Sequence, residues 1–188
     1  GDGMCDAGDV DLALHAGANL ISFYALPADG DYSVENIFGG GNIYSVVNSY
    51  SAAIYYNGTW LGSLQQINPY GGYFVKLYEP ESIEIQGLPT APVSYQMYQG
   101  NNLLSYAYHL SQSLDNALPD NAASNTEAIY GEASAAINVG GSWVGSLEGF
   151  DGGKGYWFRA SDNFVFEYNN PNLLDQPYIP PVLPDVPA

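Results

Sequence analysis

An internal repeat constrains this chain more than any other feature. Residues 51–64 read Ser-Ala-Ala-Ile-Tyr-Tyr-Asn-Gly-Thr-Trp-Leu-Gly-Ser-Leu, and residues 134–147 read Ser-Ala-Ala-Ile-Asn-Val-Gly-Gly-Ser-Trp-Val-Gly-Ser-Leu. Nine of the fourteen positions are identical at an offset of 83. The same offset aligns Gly17, Asn19, Leu20 and Ser22 with Gly100, Asn102, Leu103 and Ser105, and Gly72 and Tyr73 with Gly155 and Tyr156. Ungapped agreement at both ends of one period means that each copy folds as a supersecondary unit. Only the middle drifts. Ser33, Val34 and Ile37 match Ser113, Leu114 and Ala117 at an offset of 80, so three residues move from before this segment to after it. Indels of that kind mark surface loops. The chain therefore divides into an acidic segment 1–11, module 12–88, module 93–170 and a tail 171–188. The joint Leu88-Pro89-Thr90-Ala91-Pro92 is kept short and stiff by two prolines.

Within each module the local signals are mostly β. Residues 19–24 form a short apolar strand candidate. Ser33 is an N-cap type ahead of Val34, Ile37 and Phe38 at helical spacing, with Gly39-Gly40-Gly41 as the stop. Ser113 starts the equivalent turn, which Pro119 ends. Ile43 to Tyr56 is rich in Val, Ile and Tyr. Asn57-Gly58 signals a type I′ hairpin, and Gly140-Gly141 occupies the matching place. Trp60–Leu64 is the return strand, Tyr73–Tyr78 a final strand, and Ile83–Ile85 an added edge. The fold class expected is mainly β with short helices: two tandem antiparallel modules with one short helix each, followed by an extended Pro-rich tail. Six of the twelve prolines fall in 171–188, which suits polyproline-like chain better than sheet.

Charge narrows the function classes. Twenty acidic residues face three basic ones, for a formal net charge of -17. Nucleic-acid binding needs Lys and Arg to release counterions, so it is excluded, and docking on anionic membrane is disfavoured for the same reason. Charged residues make up only 12% of the chain, about half the usual share. Asn, Ser, Gln, Tyr and backbone must therefore cover much of the surface. No apolar run is long enough for a transmembrane helix. Cys5 is the only cysteine, so no intrachain disulfide is expected. The opening Gly1–Asp6 lacks a basic and an apolar signal region and reads as the middle of a longer gene product. An acidic, lysine-poor, tyrosine-rich chain suits an extracellular or saline setting, with an acidic cytosolic protein as the alternative.

The residues 17–23, 60–64 and 71–76 carry a resemblance. Gly17-Ala18-Asn19-Leu20-Ile21-Ser22-Phe23, then Trp60-Leu61-Gly62-Ser63-Leu64, then Gly72-Tyr73-Phe74-Val75-Lys76 resemble a "G-x-N-L-I-S, W-x-G-S-L, G-Y-W-x-K" repeat. That repeat occurs in large secreted proteins of marine and gliding bacteria and in some phage structural proteins. Gly155-Tyr156-Trp157-Phe158-Arg159 fits it equally well. The resemblance covers about four-fifths of the chain and implies an extracellular accessory module, with no particular ligand and no catalytic set. Gly1–Asp6 also resembles the tail of an Asp-rich calcium repeat of the thrombospondin type 3 kind.

Candidate chemistry is sparse. Only His15 and His109 could act as imidazole bases, they do not match at the repeat offset, and no Gly-x-Ser-x-Gly elbow exists. Carboxylate pairs for glycoside hydrolysis are always available among twenty acids, so their presence carries no weight. No cofactor is required. Calcium is the one candidate, on Asp2, Asp6, Asp9 and Asp11, which offer hard oxygen ligands at close spacing; a solvated acidic terminus explains the same residues. Trp60 and Trp143 are expected in superposable, mostly buried positions. Lys76 and Arg159 are each expected to pair with a carboxylate. Phe74 and Trp157 alternate with Tyr73 and Tyr156, so one set faces out. With Tyr178, Ile179 and Leu183 of the tail they form the candidate contact surface, and the tail is expected to dock in cis, to dock on a neighbouring copy or to act as a linker.

Three functions compete. The leading expectation is a non-enzymatic structural, adhesion or self-association module of a larger secreted or cell-surface protein, with protein partners. The second is a phage decoration or fibre protein of the virion. The third is a carbohydrate-binding module of a secreted enzyme.

Overall fold

The computed structural model describes residues 8–171. The first half contains β1 (Asp9–Leu14), β2 (Gly17–Ile21), β3 (Ala25–Pro27), α1 (Val34–Phe38), β4 (Ile43–Val47), β5 (Ala52–Tyr56), β6 (Thr59–Gly62), β7 (Tyr73–Leu77) and β8 (Glu81–Pro89). The second contains β9 (Tyr95–Met97), β10 (Gly100–Ser105), β11 (Gln112–Ser113), α2 (Leu114–Ala117), α3 (Asp120–Ser124), β12 (Thr126–Tyr130), β13 (Ala135–Val139), β14 (Ser142–Gly145), β15 (Gly149–Phe150), β16 (Gly155–Ala160) and β17 (Phe164–Phe166). The fold is mainly β with short helices, as the sequence predicts, but among the described residues the second half has two helices where one was expected. Each half is built on a five-stranded antiparallel sheet, ordered β2-β7-β4-β5-β6 in one and β10-β16-β12-β13-β14 in the other. Every strand of the second order lies 83 residues after its counterpart in the first. Even the register break recurs, between Ile43 and Ser45 and between Thr126 and Ala128. The pairing of β1 with β8 is likewise repeated by β9 with β17, Leu12 opposite Ile83 and Tyr95 opposite Phe166.

The signature residues fold each half locally. Asn19 accepts a hydrogen bond from the His15 amide and donates to the His15 carbonyl, closing the turn into β2. Asn102 makes the same two bonds with Tyr98 ahead of β10. Ser33 and Ser113 cap α1 and α2 by accepting from Asn36 and Asn116. Asn57 at φ 49° and Gly58 at φ 84° form the two-residue turn between β5 and β6, the backbone that a type I′ hairpin needs. Gly62 and Gly145 sit at φ 143° and 150°, and a Cβ on either would run into the Ala52 or Ala135 carbonyl oxygen. That close approach lets the Leu64 and Leu147 amides donate to the same carbonyls, each at 3.0 Å. Ser63 and Ser146 accept from the Ala52 and Ala135 amides. The repeated Gly-Ser-Leu is thus a strand terminus.

The two halves meet at a reciprocal seam. Ile21 bridges to Lys154, and Leu104, 83 residues after Ile21, bridges to Gly71, 83 before Lys154. The Ser22 amide donates to the Gly153 carbonyl at 3.0 Å, and the Ser105 amide to the Tyr70 carbonyl at 3.1 Å. This is the contact pattern of a two-fold interface, here within one chain. The hydroxyls of Ser22 and Ser105 donate across it to the carbonyls of Lys154 and Pro69. Gly72 and Gly155 give it room: a Cβ on Gly155 would lie 2.7 Å from the Ile21 carbonyl oxygen, and one on Gly72 2.8 Å from Leu103. Each half keeps its own core, aliphatic around Val46, Val75 and Ile67 in the first and aromatic around Tyr106, Phe150 and Phe158 in the second.

The Val-, Ile- and Tyr-rich stretch from Ile43 to Tyr56 folds as β4 and β5, because the Asn48 side chain accepts from the Tyr50 and Ser51 amides and turns the chain. Several expectations need correction. Residues 83–85 lie inside β8, which is the central strand of the β1-β8-β3 sheet and no edge. Strand pairing in the first half begins at Asp9, and β8 runs through Pro89. The three residues that shift between the copies fall after α2, in the stretch that carries α3. That helix follows Pro119 directly, a residue expected only to end a turn; proline suits a helix start, where its missing N–H is not needed.

Candidate functional site

The candidate surface residues Phe74 and Trp157 occupy the same place in the two sheets. Phe74 lies on β7 between Leu20 and Val47, and Trp157 on β16 between Leu103 and Tyr130. Both are half-buried, while Tyr73 and Tyr156 alternate inward and are buried. The hydroxyls of the two tyrosines accept from the Asn68 and Asp151 amides, and burial pushes both well above the ordinary tyrosine range. Tyr178, Ile179 and Leu183 of the proposed contact surface lie outside the described residues. Trp60 and Trp143 do occupy equivalent positions, opposite Tyr55 and Asn138. They are half-buried against the cores where mostly buried positions were expected, because β6 and β14 are the outermost strands of their sheets among the described residues. Trp60 also points its indole N–H at the Gly39 carbonyl, 2.7 Å away.

The sequence reading missed a set of exposed apolar residues that recurs in both copies of the repeat. On the β5–β6 hairpin, Ile54 is 52% and Leu61 48% exposed; on the β13–β14 hairpin, Ile137 is 53% and Val144 58% exposed. Tyr56 and Val139 add to the two faces. Ile54 stands opposite Leu61, and Ile137 opposite Val144, so each hairpin presents an apolar cross-strand pair to solvent. A signal existed: Ala53 is buried and Ile54 exposed, the period-2 alternation of a strand. An apolar exposed residue is nonetheless indistinguishable by type from a buried one.

The basic residues behave differently from each other. Arg159 pairs with Glu127 at 2.9 Å, as expected. Both groups are over half exposed, so the pair contributes at most about 1 kcal/mol. Lys76 is exposed and makes no ion pair with a described residue. Where the second half has Glu127, the first has Tyr44, which stacks on Tyr78 with ring centroids 4.2 Å apart.

Of the calcium candidates, Asp2 and Asp6 lie outside the described residues. Asp9 and Asp11 are strand residues of β1, with Asp11 directly opposite Glu84. Among the described residues no three His, Cys, Asp or Glu side chains come together as metal ligands. Like charges directly opposite are destabilising, and a net charge of -17 adds general self-repulsion. The melting temperature is therefore expected to rise from low to moderate sodium chloride, as screening shortens to about 10 Å at 0.1 M. A further rise in calcium at matched ionic strength would mark a site that includes Asp2, Asp6, Asp9 and Asp11. Superimposable sodium and calcium curves would remove that site.

The seam carries one asymmetric clamp. His15 reaches Glu132, 117 residues away, and the other Glu132 oxygen accepts from the Leu20 amide at 3.0 Å. The equivalent positions, Tyr98 and Ser49, cannot repeat the ion pair. The His15 ring is held protonated above its ordinary 6.5 by its bond to the Ala16 carbonyl and then by Glu132. Partial burial opposes ionisation of Glu132, but the bonds from His15 and Leu20 outweigh it and lower its pKa. A raised histidine stabilises fully below 6.5 and loses that contribution as pH rises through its folded value; a depressed carboxylate stabilises above its ordinary 4.5 and fades below. The clamp is thus fully engaged between about pH 4.5 and 6.5. Melting temperature is expected to fall from pH 6 to 8.5, and His15→Gln is expected to flatten that slope. Equal slopes in the two proteins would show that the clamp contributes nothing.

No helix among the described residues is long and apolar enough to cross a membrane. No protein family, curated protein or solved structure matches this chain.

Proposed function

We propose that this chain is a non-enzymatic, extracellular structural module of a larger secreted or cell-surface protein, and that it works through protein contact as an adhesion or self-association unit. One observation carries the reading: the exposed apolar pair on the β5–β6 hairpin recurs on the β13–β14 hairpin. The polar residues of the repeat are used internally. Asn19 and Asn102 close turns, Ser63 and Ser146 end strands, and Ser22 and Ser105 hold the seam. What each half then offers to the outside, twice over, is an apolar, uncharged hairpin. Exposed apolar patches rimmed by polar surface mark contact sites.

Sedimentation of the full chain across a wide concentration range tests the proposal, run beside pull-down on insoluble polysaccharides. Concentration-dependent association, or capture by a neighbouring part of the parent protein, is the expected result. Saturable polysaccharide binding by a strictly monomeric chain would replace this function with the carbohydrate-binding one. Calcium at Asp2, Asp6, Asp9 and Asp11 would be an accessory to this function and is not needed for it.

A further inference from the structure

The second half holds a hollow of about 610 Å³ between α3, the start of β12 and the turn joining β13 to β14, a size usual for ligand sites. Its lining is where the two copies of the repeat diverge. Thr126, Glu127, Asn138 and Ser161 line it, and the residues 83 positions earlier are Ile43, Tyr44, Tyr55 and Tyr78. In the first half those tyrosines are packed. Tyr44 stacks on Tyr78 at 4.2 Å, and Tyr55 lies against Gly40 and meets Trp60 edge-on at 5.5 Å. In the second half three smaller polar side chains leave the space open.

The hydrogen bonds of the lining decide what fits. Asn138 spends its amide hydrogens on the Ala123 and Thr126 carbonyls, at 2.8 and 3.2 Å, and its oxygen accepts from the Gly141 amide. The hydroxyls of Ser124 and Ser161 donate to the Asn121 and Asn125 carbonyls. A hydroxyl that has donated has only lone pairs left to offer. Asp120 makes no ion pair with a described residue, and Glu127 gives one oxygen to Arg159 and keeps the other. Thr126 is 2% exposed, and its hydroxyl is the one buried side-chain polar atom among the described residues without a hydrogen-bond partner. A buried hydroxyl left unpaired is costly, and the first half avoids that cost with Ile43.

The hollow thus presents acceptors and two carboxylates, with no Lys, Arg or His in its lining. Anions are repelled there. The matching ligand carries a positive charge and donors only, which describes the ammonium of lysine and the guanidinium of arginine. The field of a chain with net charge -17 draws the same groups. A calcium ion fits less well, because it takes about six to eight oxygens around one point and no three acidic side chains converge among the described residues.

We propose that this hollow receives a lysine or arginine side chain of a partner protein. Asp120 and the remaining oxygen of Glu127 hold the charge, and the oxygens of Ser124, Thr126 and Ser161 accept its hydrogens. The proposal rests on the protein-contact reading above and names the chemistry of the partner, a basic segment. This chain has three basic residues in all, so a second copy is a poor source of one. The tyrosines of the first half leave one such site per chain.

Chemical-shift mapping on the full, isotope-labelled chain tests this with the acetylated methylamides of lysine and arginine as probes. The norleucine compound is the uncharged control, and calcium is added at matched ionic strength. The lysine and arginine compounds are expected to bind once per chain and to move the amide signals of Thr126, Gly141 and Ser161, which norleucine and calcium leave in place. Asp120→Asn and Glu127→Gln together are expected to weaken binding by about tenfold or more. Glu79→Gln and Glu84→Gln, which remove the same charge from the first half, should leave it unchanged. Glu127→Tyr with Ser161→Tyr, which writes the Tyr44–Tyr78 pair into the second half, should abolish binding, and circular dichroism confirms that every variant is folded. Equal weakening by the two charge-removing pairs would reduce the effect to general attraction and overturn the proposal, as would binding of the norleucine compound or a response to calcium alone. A folded chain that binds neither cationic probe, yet still associates or is captured by its parent protein, sinks the proposal and leaves the protein-contact reading standing. Probe binding by a chain that makes no protein contact upholds the cation site while that reading falls.

Discussion

Phe150→Ala is expected to lower the free energy of unfolding by about 3–5 kcal/mol, the range for a large aromatic removed from a packed core. Phe150 is fully buried. Its ring stacks 5.5 Å from Tyr106 and 5.8 Å from Phe158 and meets Tyr156 edge-on at 4.9 Å and Tyr168 at 5.2 Å. Those rings are rigid and anchored: Tyr168 donates to the Ser105 carbonyl and Tyr156 accepts from Asp151. The cavity left by alanine therefore cannot collapse easily, and the cost should fall at the upper end of that range. The counterpart in the first half is Ile67, also buried but aliphatic, and Ile67→Ala should cost about 2–5 kcal/mol. Urea denaturation measures both, as a shift of the midpoint at constant slope. A loss under about 1 kcal/mol for Phe150→Ala would mean that the aromatic cluster repacks around the gap, against the close packing usual in protein interiors.

Gly155→Val is expected to damage the seam more than either core. The valine Cβ would meet the Ile21 carbonyl oxygen at 2.7 Å and Leu20 Cδ1 at 3.1 Å. The first of these is backbone held in β2 and cannot swing aside. Overpacking of this kind costs about 1–3 kcal/mol. Its larger consequence concerns cooperativity. Each half has its own core, and the hydrogen bonds through Ser22, Ser105 and their partners join them. Wild type should unfold in one calorimetric transition, and Gly155→Val should split it in two, with a calorimetric enthalpy exceeding the van't Hoff value. A single, merely shifted transition would show that the seam does not couple the halves.

Much of this molecule was legible in the chain because the relevant forces are local. Asn57-Gly58 specifies its hairpin through a backbone conformation that few residues adopt cheaply. Ser33 and Ser113 specify helix starts because their hydroxyls satisfy amides three residues on. The offset of 83 reproduces itself in strand order, register and bulge. The alternation of Tyr73 with Phe74 and of Tyr156 with Trp157 sorts buried from half-exposed faces. Of the candidate contact residues, Phe74 and Trp157 land on equivalent faces of the two sheets; the tail residues fall outside the described chain.

Only the tertiary structure decided the rest, since it depends on groups distant in sequence. Ser22 and Ser105 are small hydroxyls in apolar strands, and nothing nearby reveals that they bond across a seam to residues 132 and 36 positions away. Gly72 and Gly155 stand out in the sequence only as repeat positions, and their need for a missing Cβ shows once a backbone from the other half is placed against them. His15 and Glu132 gain their pairing through that same closure. β8 reads as an edge from its own residues and becomes central because β1 and β3 arrive on both sides. The exposure of Ile54, Leu61, Ile137 and Val144 follows from the same cause. Hydrophobic patterning fixes which residues share a face of a strand, but whether a second layer covers that face is decided by what the rest of the chain leaves over it.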